Sequence, residues 1–439
     1  MSKKLFVQST LILILAGVFS RIIGFFYRIF LSQAIGAQGM GIYQLLMPLQ
    51  VLFMAITTSG IQTALSRLCA AKIALKKKNT AKDYLLAGTG LAFALSFLLT
   101  ILVRRHSHFI AEQLLKIPDG AGFVSLLACS FPFGTLHSCI TSYYYARKKT
   151  LIPSVIQLAE QFTRVGSCYV FYQILLSKNR TPSPVIAIGG TLISEMAAVL
   201  IILFFIGTNF QKEHYRPGPF QKLPEIFRDI LHMSVPLSLN RVLLTLLSAV
   251  EVTLIPQMLV KSGLQHSSAL SVYGIFTGMA LPVILFPSAV TNSVSVMLMP
   301  SIAQLQALGR KEQIRSAAVC ICSLCLLLGI LCTFGFFLLG PFAGNLLFHS
   351  SAAGTYIRTL SFTCPFLYLN STLSGILNGL GKSGLCLLHS AAAISLRISF
   401  VVFLIPGMGI RGYLYGLLFG EILLTVLHIF ALLRIEKNL

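Results

Sequence analysis

Long apolar runs, each set off from the next by a short polar or basic stretch, dominate the chain. None alternates with period two, so the runs read as helices, and they are long enough for the roughly 20 residues that cross a bilayer. Twelve spans can be drawn. The first six are Leu5–Leu31, Gly41–Ala71, Tyr84–Val103, Ala121–Ala146, Leu151–Leu176 and Val185–Phe210. A polar stretch, Gln211 to Asp229, follows. The second six are Ile230–Val260, Val272–Ile302, Ala317–Leu339, Thr355–Leu380, Gly384–Ile405 and Gly412–Leu433. The pattern predicts an all-α polytopic membrane protein of about twelve transmembrane helices. Its expected domains are a six-helix lobe over 1–210, a cytoplasmic linker over 211–229 and a second six-helix lobe over 230–439.

Within the spans, Gly412, Gly416 and Gly420 make a small-residue face on the last, and Gly274 and Gly278 one on the eighth. Pro282, Pro287 and Pro300 should bend the eighth span, since each removes a helical hydrogen bond.

Composition excludes a soluble protein. The chain is 56% hydrophobic and only 10% charged, with mean hydropathy +0.83, too few charges to solvate the surface of a domain this size. The net charge of +22 does not point to nucleic acid, because the basic residues sit in short loops between apolar runs. Lys3-Lys4 before an apolar run resembles a secretory signal, but this run is too long and holds arginines, so it reads as an uncleaved first span. With the N-terminus inside, twenty lysines and arginines fall in inner segments and eight in outer ones. This places both termini in the cytoplasm, in a multi-pass protein of the cytoplasmic membrane. Arg104-Arg105 is the one outer basic pair against the rule. The ten cysteines lie almost wholly in apolar runs, and Cys320, Cys322 and Cys325 have no neighbouring Cys/His pair. They read as packing thiols rather than metal ligands, and no cofactor is expected.

An internal repeat is visible. Lys77-Lys78 recurs as Arg310-Lys311, Lys149 as Lys382 and Arg164 as Arg397, each 233 residues later (310 − 77, 382 − 149, 397 − 164). Six spans per half is an even number, so the halves should form a parallel repeat around a central cavity.

The candidate chemistry is ionic. Apart from Arg358, at the very start of the tenth span and counted with the outer segments, six arginines lie within spans (21, 28, 67, 164, 241 and 397) against four glutamates (160, 195, 251 and 421). Charges at membrane depth are costly and mark functional sites or pairs. Arg21 and Arg28, seven apart, share one face of the first span, roughly 10 Å apart along it. Arg21 and Arg241 are candidates for a cavity, with Arg28, Arg397, Asn240 and Glu251 beside them. Arg67 and Arg28 lie near span ends, where snorkelling competes with a site role. Glu160 and Arg164, four apart, read as a structural pair. Arg241 could pair with Glu251, and Arg397 with Glu421. Gly375–Ser383 imitates a phosphate-binding loop but has one residue too many before Gly381 and no preceding strand. No catalytic arrangement stands out, and an enzyme is not expected.

Particular residues resemble a known family. Phe19–Leu31 (FSRIIGFFYRIFL), Ile35–Gln44 (IGAQGMGIYQ), Thr58–Leu68 (TSGIQTALSRL), Pro153–Arg164 (PSVIQLAEQFTR), Phe286-Pro287-Ser288 and Pro300-Ser301-Ile302 resemble the stage V sporulation protein B type of polysaccharide flippase. That family shares a superfamily with the lipid II flippase MurJ and the MATE drug exporters. The resemblance runs nearly the whole length. It implies two lobes around a central cavity and export of polyprenyl-pyrophosphate-linked sugars by alternating access, with Arg21 standing where the Ser-Arg-x-x-Gly-Phe motif places a cavity arginine. Partners so implied are a lipid-linked oligosaccharide or other anionic lipid, the bilayer, and a coupling ion, H+ or Na+. Two departures are visible: twelve spans against the usual fourteen, and Pro282 where MurJ has an arginine. The alternatives are a MATE-like cation-coupled drug antiporter, which needs a carboxylate-rich cavity, and a non-transporting scaffold for envelope synthesis, which has no use for arginines within the membrane.

Overall fold

The computed structural model describes residues 3–213, 215 and 223–438. All regular structure among them is helical, with no strand. The first half comprises α1 (Lys3–Met54), α2 (Gly60–Ala74), α3 (Lys78–Arg105), α4 (Ala121–Ala128), α5 (Phe131–Ala146), α6 (Leu151–Ser177) and α7 (Val185–Lys212). It continues with α8 (Leu223–Lys261), α9 (His266–Gly274), α10 (Leu281–Leu285), α11 (Ser288–Ala307) and α12 (Lys311–Phe348). The last four are α13 (Ser351–Leu360), α14 (Cys364–Gly379), α15 (Ser383–Met408) and α16 (Ile410–Asn438). Wider π turns interrupt the path at Ala55–Ser59, Phe109–Leu114 and Ile275–Ala280.

Nine helical stretches among the described residues are long and apolar enough to cross a membrane. The first, Leu15–Ala74, is 60 residues long and is broken at Gly36, whose φ of +68° and ψ of −178° suit glycine alone. The break is one residue, not the nine-residue connector implied by ending one span at Leu31 and starting the next at Gly41. Further helix lies outside these nine, in Leu151–Ser177 and, interrupted by a short 3-10 turn, in 351–379. The eighth span opens at Phe286-Pro287, while α11 runs unbroken through position 300. Arg104 and Arg105 close α3; a helix C-terminus favours cations, which accounts for a basic pair where the loop rule expects none.

The chain divides into two compact units, Met1–Tyr27 with Leu45–Ala249, and Arg28–Gln44 with Val250–Leu439. The division falls within α1 and α8, whereas the sequence suggested limits in the loops at 210 and 230. The reason is that long helices pass their two ends to different neighbours. In unit 1, Leu65, Leu85, Tyr143, Tyr144, Ile202 and Ile230 anchor the apolar core. In unit 2, Gly41 and Gly274 interlock: a Cβ on Gly274 would lie 2.1 Å from the Ala37 carbonyl oxygen, and one on Gly41 2.1 Å from that of Leu270. Large apolar side chains such as Phe204, Leu338 and Phe403 stand exposed, as suits a protein whose solvent is hydrocarbon.

The backbone repeats with the sequence. Left-handed positions recur 233 residues apart as Lys76 and Gly309, Lys116 and His349, and Lys148 and Gly381 (309 − 76, 349 − 116, 381 − 148). The residues preceding α3 and α12, Lys77 and Arg310, adopt nearly the same angles, −90°, 62° and −88°, 70°.

Candidate functional site: two buried ionic clusters and a set of exposed arginines

Unit 1 holds a buried ionic cluster where α5, α6 and α7 meet. Arg164 on α6 donates to Glu160 one turn earlier, and its Nε reaches Ser194 Oγ on α7 at 3.4 Å. From α5, His137 Nδ1 lies 2.9 Å from Glu195 Oε2, off the line of an ideal hydrogen bond. Its Nε2 is 4.0 Å from Glu160 Oε2. Glu195 is only 4% exposed. Gly134, one turn before His137, gives the carboxylate room: a Cβ there would meet Glu195 Oε2 at 3.2 Å.

Unit 2 builds a related cluster from α8, α14, α15 and α16. Arg397 donates from Nε and Nη2 to the two oxygens of Glu251, at 2.8 and 3.0 Å. Its Nη1 lies 3.6 Å from Glu421 Oε1. Tyr413 donates to Glu251 at 3.0 Å, and Asn370 Nδ2 donates to Glu421 at 2.7 Å. The match to unit 1 is residue by residue. Arg397 stands 233 positions after Arg164, and Asn370 233 after His137. On the last helix of each half the separation is 226: Gly190 and Gly416 each lie under the carbonyl of the cluster arginine, Cβ to oxygen 3.1 and 3.7 Å, and Glu195 answers to Glu421. The connector Lys178–Pro184 before α7 is reduced to Gly409 before α16, which shortens the register. Ala393 replaces Glu160, so the second carboxylate for Arg397 comes from Glu251 on α8 instead.

The expected site residues therefore separate. Glu160 and Arg164 pair as the spacing suggested. Arg397 and Glu251 bind each other, so Glu251 is not taken by Arg241. Arg21 on α1 and Asn240 with Arg241 on α8 are exposed, and all three belong to unit 1. Arg28 is half-buried in unit 2, with Tyr43 among the groups acting on it. Arg67 is exposed near the end of α2. His137, Asn370 and Tyr413 were not singled out from sequence. The 233-residue separation linking His137 to Asn370 was the available signal.

A third ionic group lies at the linker end of unit 1. The fully buried Lys82 Nζ lies 2.9 Å from Glu213, and Arg147 donates to the same carboxylate at 2.6 Å. Burial acts to raise the Glu213 value, but the ion pair with Lys82 and the hydrogen bond from Arg147 outweigh it and hold the carboxyl below its ordinary range. Tyr215 donates to Asp83 at 2.6 Å, and burial with that bond pushes its hydroxyl up. Two of the basic residues expected on the linker, Arg216 and Lys222, lie outside the described residues.

Many long apolar helices with charges set inside them define a multi-pass membrane protein, and solved structures share its fold. The chain aligns with the structure titled "Lipid II flippase MurJ, inward closed conformation" at TM-score 0.74 and 14% identity, over 96% of this chain and 87% of that one. It aligns with a transporter of the MOP superfamily from Pyrococcus furiosus at TM-score 0.67 and 16% identity, over 99% and 96%. The chain shares its fold with both. Residues 6–306 match the family model described as polysaccharide biosynthesis protein, and the chain belongs to that family. Among curated relatives, the stage V sporulation protein B of Bacillus subtilis is 25% identical, over 98% of this chain and 83% of that protein. The sporulation protein YkvU of the same organism is 20% identical, over 96% and 94%.

Proposed function

We propose that this protein is a flippase that exports polyprenyl-pyrophosphate-linked sugar intermediates, a polysaccharide or peptidoglycan precursor, across the cytoplasmic membrane. The observation that carries the reading is the excess of arginine in the spans together with the exposure of Arg21 and Arg241, both on helices of unit 1. The four span glutamates, by contrast, are each engaged by an arginine, a histidine or an asparagine. A cation exporter needs free carboxylates in its cavity, and an anion carrier needs free guanidinium groups. Arginine suits a pyrophosphate, because its planar fork donates two charge-assisted hydrogen bonds and keeps its charge when desolvated. In this reading Arg21 and Arg241, aided by Asn240 and Arg28, hold the headgroup in a cavity while the tail stays in the bilayer. The site is then exposed to each side of the membrane in turn. MurJ, named for lipid II flipping, supports the substrate class by analogy.

Flipping of polyprenyl-pyrophosphate-linked sugars in proteoliposomes tests this. One charged contact contributes about 1.5–3 kcal/mol, so Arg21→Ala or Arg241→Ala should weaken headgroup binding roughly ten- to a hundredfold with unchanged thermal stability. If both variants flip at the normal rate, the cationic-cavity reading fails. The orientation, with both termini cytoplasmic, predicts that cysteines placed at Lys77 and Lys148 resist an impermeant thiol reagent in intact cells; ready labelling would invert it.

A further inference from the structure

The cluster around His137 shares no residue with the arginines assigned to the headgroup, and its fixed charges do not balance. Glu160 and Glu195 are two carboxylates against one guanidinium, Arg164. Buried ionic groups persist only when compensated, so the remaining negative charge favours uptake of one more proton within the cluster. His137 is placed to take it, 2.9 Å from Glu195 and 4.0 Å from Glu160. Histidine is the side chain whose charge ordinarily changes near neutral pH.

We infer that His137, Glu160, Glu195 and Arg164 form a proton-binding site. A proton from water adds to an imidazole nitrogen and brings the cluster to neutrality; its return to water leaves one net negative charge. No other bond is made or broken. From α6 His137 faces Glu160 and Arg164, and from α7 Glu195 with Ser194. The π turn before α2 meets α5 through neutral groups, Thr58 with Thr135 at 2.9 Å. Helices α2 and α3 meet α5 through core residues such as Leu65 and Leu85.

The second half serves as an internal control. At the position related to His137 stands Asn370, whose amide donates to Glu421 but does not titrate. At this position the related clusters thus differ in kind: the first carries an imidazole that can change charge near neutral pH, the second an amide that cannot. Proton loading alters the charge held between α5, α6 and α7, and therefore which packing of these helices is favoured. On the flippase reading, from which this part of the inference follows, a proton gradient acts through unit 1 to give the cycle its direction.

The site itself is tested on purified full-length protein in detergent by potentiometric titration. Between about pH 5 and 8, the wild type should release about one proton more per chain than His137→Asn, a substitution that copies Asn370; no excess overturns the site. His137→Gln, nearer in size, replaces that variant if thermal unfolding shows it misfolded. The coupling is tested in proteoliposomes carrying a polyprenyl-pyrophosphate-linked disaccharide. An imposed pH gradient should change wild-type flipping several-fold and leave His137→Asn unaffected, whereas a retained response in the variant overturns the coupling. A proton excess in a protein that moves no lipid upholds the site and counts against the flippase reading alone.

Discussion

Removing Arg397 should damage the fold more than removing either carboxylate it serves. The guanidinium, 17% exposed, holds Glu251 through two bonds at 2.8 and 3.0 Å and faces Glu421 at 3.6 Å. At an effective dielectric near 20, single charges at these separations attract by roughly 6 and 5 kcal/mol, most of it offset by the cost of leaving water. Arg397→Ala leaves two buried carboxylates facing an empty space, with Tyr413 and Asn370 as their neutral donors. Breaking a buried pair in this way costs about 3–5 kcal/mol. Glu251→Ala is milder, because Arg397 still has Glu421; Glu421→Ala is milder again, because the shorter bidentate pair survives. The assay is thermal unfolding of the purified variants in one detergent, with Arg397→Met/Glu251→Leu as the apolar replacement of the whole pair. The expected order is Arg397→Ala lowest, then Glu251→Ala, then Glu421→Ala, with the double variant above Arg397→Ala. A double variant no better than the single, or an Arg397→Ala midpoint equal to wild type, would show that the pair does not hold unit 2 together.

Two further outcomes follow from the packing and the linker. Gly274→Leu should cost about 1–3 kcal/mol by overpacking, since its new Cβ meets the backbone oxygen of Ala37 and backbone cannot swing aside; an unchanged unfolding midpoint would contradict this helix crossing. Glu213 has a folded value depressed below its unfolded one by Lys82 and Arg147, so its contribution is complete above about pH 4.3 and lost as pH falls through the depressed value. The stability gap between wild type and Glu213→Gln should therefore be present at neutral pH and close in acid, and a gap of constant size from neutral pH to pH 3 would remove the carboxylate from that role.

The class of protein was legible from composition and run length, because a bilayer demands about 20 apolar residues per helix whatever their neighbours. Loop charges and the recurrence of Arg164 as Arg397 exposed the repeat, and glycine spacing marked the faces that later proved to be helix crossings. The Glu160–Arg164 pair was legible as well, since an i,i+4 contact is built into a single helix.

Contacts between helices were not legible, because side-chain periodicity reports one helix at a time. Glu251 and Arg397 lie 146 residues apart, and only the packing of α8 against α15 chose that pair over Arg241 with Glu251. Likewise His137 is an unremarked polar residue in an apolar run until α5, α6 and α7 come together and set two carboxylates around it. The sequence by itself determined that this chain lives in a membrane as paired helical halves with buried charge. The tertiary structure decided which charges neutralise one another and which arginines stay exposed, because at membrane depth a charge must find its partner wherever the fold brings one within reach.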